Sequence, residues 1–331
     1  VAPSYLLTAV SFTYATVLRS TGKVVLPMLI IFSALSVNTL FNFLLIYGNY
    51  GFPRLGVAGA AIATAFARLV ELVALLGAVY TKQLVPAAKL HELFNFSRAF
   101  TGRFFRTIVP VILNEFFWSL GVTMFALVYA RMGTDIIAAV NIGSTVERLA
   151  MVLFFGMAQA CAVMIGNRIG ANDEPTAFTY ARRLALLAPA IGCIVAGLLF
   201  ILNPRFLAVY KVAPEVINLS EQILTIFTLT LPIRVFNLML IVGILRSGGD
   251  TRFCLLIDTA GLWLIAVPLA FLAGLVWRIP PQGVYLLVAS EELFKCGLGI
   301  YRLVSKKWLN NLTHHTLEPH VPLETVAEVN V

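Results

Sequence analysis

Apolar residues run along this chain in stretches of about 20, long enough to cross a hydrocarbon core of about 30 Å as helices. Short polar joints punctuate them. The pattern predicts nine spans, at 4–18, 24–47, 56–80, 107–131, 136–165, 183–202, 216–244, 254–277 and 283–304. The joints carry turn residues, as in Gly48-Asn49-Tyr50-Gly51-Phe52-Pro53, Met132-Gly133-Thr134-Asp135 and Ser247-Gly248-Gly249-Asp250. Two longer segments stand apart: a basic stretch at 81–106 that reads as a linker, and a polar tail at 309–331 that reads as disordered.

Composition points the same way. Of 331 residues, 60% are hydrophobic and 12% charged, against roughly 45–50% and 25% in soluble domains. A soluble fold of this length could not hide that much apolar surface, so the expectation is an all-α polytopic membrane protein. The chain opens at Val1 inside an apolar stretch, with neither the basic start nor the cleavage site of a signal peptide, which suggests a missing N-terminal portion.

A net charge of +8 raises the question of nucleic acid, and placement answers it. Fifteen Lys and Arg residues fall at one set of span ends, against five (Arg54, Arg131, Arg205, Lys211 and Arg278) at the other. The positive-inside rule then puts the linker and the C-terminus in the cytoplasm, with the chain in the inner membrane, and no nucleic-acid partner is needed. Cys161, Cys193, Cys254 and Cys296 stand alone and read as small buried hydrophobes, without metal or disulfide spacing. His91, His314, His315 and His320 fall outside the spans, which argues against histidine proton relays.

The chain also repeats itself at an offset of 227 residues: Leu18-Arg19-Ser20 matches Leu245-Arg246-Ser247, Gly22 matches Gly249, and Pro53 and Gly56-Val57 match Pro280 and Gly283-Val284. Composition bias does not readily place Arg-Ser, Gly, Pro and Gly-Val in one register. An even number of spans separates the copies, so this is a parallel repeat of two lobes. If the second lobe has six helices, the first should have six as well, and three are absent from its start.

Three segments carry a family resemblance: residues 47–64 (Tyr47-Gly48-Asn49-Tyr50-Gly51-Phe52-Pro53-Arg54-Leu55-Gly56-Val57 and onward), the Leu245-Arg246-Ser247-Gly248-Gly249-Asp250-Thr251 run, and Ile165-Gly166-Asn167-Arg168-Ile169-Gly170-Ala171. Together they resemble the multidrug and toxic compound extrusion (MATE) family, with bacterial NorM-like members nearest in kind. The resemblance implies two six-helix lobes with an outward-opening cleft, of which about nine helices are present here. It also implies export of organic cations driven by inward ion flow. Residues 1–82 would be the last three helices of the first lobe, 83–106 the cytoplasmic linker, 107–308 the second lobe and 309–331 a polar cytoplasmic tail. Neither a cofactor nor an obligate protein partner is implied; the contacts expected are with small organic cations and membrane lipid.

A carboxylate inside a span costs at least about 2.5–3.5 kcal/mol, so each needs a reason. Glu115, beside Asn114 in the fourth span, has no Lys or Arg within four positions on its helix, and should face an aqueous cavity or a cation. The matching helix of many MATE members carries a glutamate implicated in coupling, which marks Glu115 as the candidate site for H⁺ or Na⁺. Glu147 and Arg148 point about 100° apart on one helix, so each pairs elsewhere or lines the cleft. Asp258 enters the eighth span and is a weaker candidate. Arg68 with Glu71, and Glu291 with Lys295, sit at i,i+3 and i,i+4 and read as structural pairs. Where sodium-linked relatives carry an aspartate before the Leu-Arg turn, this chain has Val235, flanked by Arg234 and Asn237. That puts such a sodium site in doubt and makes Arg234 a fixed cation near Glu115 or a partner of Glu147. Phe116, Phe117, Trp118 and Phe125 could stack on a planar cation.

A phosphate-binding GxxxxGK[ST] loop is missing, which leaves secondary transport as the reading. The nearest alternative is a lipid-linked oligosaccharide flippase of the same superfamily, which an Arg- and Lys-rich cleft would favour. An intramembrane enzyme is disfavoured, because the spans hold no histidine, no Ser-His pairing and no Asp-rich metal motif.

Overall fold

The computed structural model describes residues 2–89, 91 and 96–311, apart from the side chains of residues 2, 3, 99 and 103. Every regular element among them is helical. His314, His315, His320 and most of the 309–331 tail lie outside the described residues. Two compact units are present, residues 1–98 and 99–331.

The first unit holds α1 (Ala2–Ser20), α2 (Val25–Tyr47) and α3 (Val57–Thr81), with one turn of 3₁₀-helix at Asn49–Gly51. Leu18 and Leu75 are buried with Ala15 and Val79, whereas Leu6, Phe12 and Phe32 face outward, as a hydrocarbon solvent permits. Without a hydrophobic drive between helices in lipid, close backbone approach must supply the packing, and small residues allow it. Gly59 does so here: a Cβ on it would stand 2.6 Å from the Leu45 carbonyl oxygen. Arg68 and Glu71 pair at 2.6 Å, as their spacing predicts.

In the second unit run α4 (Arg98–Met132), α5 (Thr134–Gly170), α6 (Glu174–Leu207), α7 (Pro214–Leu238), α8 (Thr251–Ala260), α9 (Val267–Phe271), α10 (Pro281–Ala289) and α11 (Glu291–Val304). Three π-helical stretches, Met239–Leu245, Gly261–Ala266 and Leu272–Val276, continue α7, α8 and α9. The main core lies among α5, α6 and α7, around Phe154, Ile223, Phe227 and Leu231. Along α6, buried Ala177, Ala181, Ala185, Ala188 and Gly192 recur every three or four positions. A Cβ on Gly192 would meet the Pro232 Cα at 3.1 Å, so the glycine lets the backbones of α6 and α7 touch.

Among the described residues, seven helices are long and apolar enough to cross a membrane. The other two predicted spans differ for visible reasons. α1 interleaves Ser4, Thr8, Ser11, Thr13 and Thr16 with its apolar residues, and the ninth span is divided at Ser290 into α10 and α11, the second of which carries Glu291, Glu292, Lys295 and Arg302. Helices also outrun the apolar pattern: α4 starts at Arg98 rather than 107, inside the segment read as linker. Hydropathy marks what lipid covers, whereas the helical hydrogen-bond ladder continues into water.

The 227-residue repeat is present in the backbone. Gly22 (φ 83°) and Gly249 (φ 80°) both take the left-handed conformation that glycine tolerates. Lys23 N–H donates to Leu18 at 2.9 Å, and Asp250 N–H donates to Leu245 at 3.1 Å; Gly22 donates to Arg19 and Gly249 to Arg246, both at 3.1 Å. Both copies therefore end their helix in the same hydrogen-bonded turn.

Candidate functional site

Ionisable and amide side chains of the second unit meet among α4, α5, α7, α8, α10 and α11. On α11, Glu291, Glu292 and Lys295 fall within a little over one turn, and the Lys295 ammonium lies 3.4 Å from Glu291 and 3.3 Å from Glu292. All three side chains are only 11–13% exposed. Asn237 of α7 donates to the Glu292 carboxylate at 2.7 Å and to its carbonyl at 2.8 Å. Asn114 of α4 donates to Asp258 of α8 at 2.9 Å. Asp258, Glu291 and Glu292 all lie in electrostatic reach of Lys295.

Next to this group, Tyr285 of α10 donates to Glu147 of α5, and Arg234 of α7 reaches the Tyr285 hydroxyl at 3.5 Å. The Arg234 guanidinium also lies over the rings of Phe227 and Tyr285, 5.6 Å from each, and is steadied by Thr230 at 3.2 Å. Arg234 thus neighbours Glu147 through Tyr285, while Arg148 points outward. Four carboxylates, Glu147, Asp258, Glu291 and Glu292, are set against two cations, Arg234 and Lys295. Burying that imbalance is costly unless protons or further cations join it.

Several buried polar atoms here lack a hydrogen-bond partner among the described residues: Asn114 Oδ1, Asn237 Oδ1, Glu291 Oε2 and the Tyr129 hydroxyl. Gly261, one turn beyond Asp258, leaves room for this arrangement, since a Cβ there would lie 3.6 Å from Glu291 Oε2 and 3.3 Å from Lys295 Cγ.

Glu115 is placed differently from its neighbour Asn114. Its side chain is 57% exposed and forms a 2.8 Å ion pair with Arg246, from the turn after α7. The counter-charge that its own helix lacks comes from 131 positions away. Of the sequence-predicted residues, Asn114, Asn237, Glu147 and Arg234 belong to the buried group, and Glu115 lies at its edge. Sequence reasoning set Glu291 and Lys295 aside as a self-neutralising pair, gave Asp258 little weight and missed Glu292 and Tyr285. The available signal was the surplus: Glu291-Glu292-x-x-Lys295 offers two acids to one base within a span.

Beside the group, a groove of about 480 Å³ is lined by Phe117, Trp263, Leu255, Leu256, Thr259 and Arg252, among others. Trp263 Nε1 donates to the Phe117 carbonyl at 3.2 Å, and the two rings meet edge to face at 6.4 Å. Phe116 and Trp118 are outside the groove and exposed. Among the described residues, no three of His, Cys, Asp and Glu converge to hold a metal ion.

The MatE family model matches residues 110–272. The uncharacterized transporter YisQ of Bacillus subtilis is 23% identical over 301 residues, covering 91% of this chain and 66% of its own length. A probable multidrug resistance protein NorM of Thermotoga maritima is 24% identical over 299 residues, covering 89% and 63%. The chain therefore spans about two-thirds of the length of these relatives. A crystal structure of a mutant of the Vibrio cholerae MATE transporter VcmN superposes with a TM-score of 0.81 at 19% identity, over 93% of this chain and 68% of that one. A MOP-superfamily transporter of Pyrococcus furiosus gives 0.80 at 18%, over 92% and 67%. Family model, NorM-named relatives and shared fold agree with the repeat and the Leu-Arg-Ser-Gly-Gly-Asp turn, and all of them make the chain similar to the MATE family of membrane transporters.

Proposed function

We propose that the chain forms part of a secondary active carrier that exports organic cations across the inner membrane in exchange for inward Na⁺ or H⁺. The observation that carries this reading is the excess of buried carboxylate over buried cation in the second unit. Such an excess attracts positive charge, whether a coupling ion or a cationic cargo, and each bound cation weakens the hold on the next. The groove lined by Phe117 and Trp263 offers apolar and aromatic surface next to that charge, suited to a planar or lipophilic cation. The excess of Lys and Arg puts the C-terminus and the Arg19 and Arg246 turns in the cytoplasm.

Residue roles follow from position. Glu115, midway along α4 and paired with Arg246 of the turn assigned to the cytoplasm, is the gate carboxylate: H⁺ or Na⁺ there releases Arg246, and loss of the ion restores the pair. Asn114 and Asn237 orient Asp258 and Glu292. Arg234 holds Glu147 through Tyr285 and keeps that half of the group charge-balanced. No cofactor is needed, and the chain's surroundings are lipid.

Ethidium efflux from cells that lack other exporters, expressing the complete carrier, tests the reading. Export driven by an imposed sodium or proton gradient, and reduced severalfold in Glu115→Gln and Asp258→Asn, is the expected result. Efflux indifferent to both gradients and both substitutions would remove the basis for cation-coupled export.

A further inference from the structure

Resting on the cation-coupled reading, we infer that the second unit contains a proton-carrying site formed by Asp258 and Glu291 with Lys295 as its fixed counter-charge, so that the coupling ion handled there is H⁺.

The charges divide unevenly. Glu147 is matched by Arg234 through Tyr285, and Glu115 by Arg246 at 2.8 Å. What remains is Asp258, Glu291 and Glu292 around Lys295, the one cation among the described residues at ion-pair distance from any of them; Arg234 and Arg246, already engaged with Glu147 and Glu115, are also in electrostatic reach. Glu292 is the best satisfied of the three, taking Asn237 at 2.7 Å and Lys295 at 3.3 Å. The unneutralised charge therefore falls on Asp258 and Glu291.

Open hydrogen-bonding capacity marks the same two residues. Glu291, 8% exposed, has an unpartnered Oε2. Asn114, 3% exposed, spends its Nδ2 on Asp258 and leaves Oδ1 unpartnered. These are acceptors without donors, and a proton on a carboxyl group adds the missing donor as well as cancelling a charge. An alkali ion fits less well: the Lys295 ammonium already sits between the two α11 carboxylates, and among the described residues no three of His, Cys, Asp and Glu come together to hold a metal ion.

The groups facing the site are Asn114, Glu115 and Tyr129 from α4, Glu147 from α5, Arg234 and Asn237 from α7, Arg246 beyond it, Cys254 on α8 one turn from Asp258, Tyr285 from α10, and Glu292 and Lys295 on α11. In the transport step the carboxylic O–H bond breaks and the proton passes to cytoplasmic water. The negative charge left behind is met by the arriving cargo cation. On the outer side a proton from water re-forms the O–H bond and the cargo departs.

Infrared titration of the purified complete carrier, without any transported compound, tests the site. A protonated-carboxyl C=O band persisting at neutral pH, weakened in both Asp258→Asn and Glu291→Gln but not in the exposed-acid control Glu174→Gln, is expected. Absence of the band, or a band unchanged in both variants, overturns the proposal. The conservative variants are first checked for monodisperse elution. Binding of tetraphenylphosphonium, followed by proton release in weak buffer, separates this proposal from the broader one. If the band behaves as expected but the cation neither binds nor moves, export fails and the proton site stands. If the band is absent while the cation exchanges for Na⁺, export stands and the proton site falls.

Discussion

Glu115 is the residue at which sequence and structure can be weighed most directly. An acid with no base on its own helix face was visible in the sequence; its partner was not, because Arg246 approaches from a turn 131 positions later. With 57% of the Glu115 side chain exposed, the pair contributes less than about 1 kcal/mol to stability. Glu115→Gln should therefore leave thermal unfolding nearly unchanged while lowering gradient-driven efflux, and a large drop in melting temperature would recast the pair as structural. Gly59 makes the opposite case. A Cβ there meets the Leu45 carbonyl oxygen at 2.6 Å, backbone that cannot swing aside, whereas a Cβ on Gly77 of the same helix meets nothing within 4 Å. Gly59→Ala should cost about 1–3 kcal/mol, in the range of overpacked cores. Gly77→Ala should be neutral or slightly favourable, and paired melting curves of the two variants decide the matter.

Helices as units explain why much of the site stayed hidden. Periodicity showed that α11 carries Glu291 and Lys295 one turn apart, and that geometry holds at 3.4 Å. It could not show that Asn237 of α7 comes to Glu292, or that Tyr285 of α10 stands between Glu147 and Arg234, since each contact needs a second or third helix at a particular rotation. The break at Ser290 was equally out of reach, since neither Gly nor Pro marks it in Val288-Ala289-Ser290-Glu291. Lys295 is the common neighbour, and its removal should be felt throughout α11. Taking one partner from a buried ion pair costs about 3–5 kcal/mol, because the remaining charge is stranded. Lys295→Met should lose stability of that order, and adding Glu292→Gln should recover part of it. A double variant no more stable than Lys295→Met would show that the lysine acts through packing rather than charge.

At the scale of the whole chain the general plan was legible: the spans, the repeat and the side-to-side charge asymmetry are periodic or compositional, and so survive ignorance of tertiary contacts. That asymmetry predicts an orientation in the membrane. The turns at Gly22 and Gly249 share one backbone geometry, and each follows an arginine, Arg19 and Arg246, that the positive-inside rule holds in the cytoplasm. On that prediction the joints after α2 and α6 face outward, since a single crossing separates each from an Arg-rich joint. Exposed Arg54 and Lys211 lie in those outward joints, and exposed Lys23 and Ala171 in inward ones. In a cysteine-free background, Arg54→Cys and Lys211→Cys should react with a membrane-impermeant maleimide in intact cells, whereas Lys23→Cys and Ala171→Cys should react only after permeabilisation. The reverse pattern would invert the carrier and place the Glu115–Arg246 pair at the outer surface. Inward ion flow would then meet Glu115 before the buried acids of α8 and α11. Export could still occur, but its gate would open to the ion first and the cargo last, contrary to the cycle proposed above.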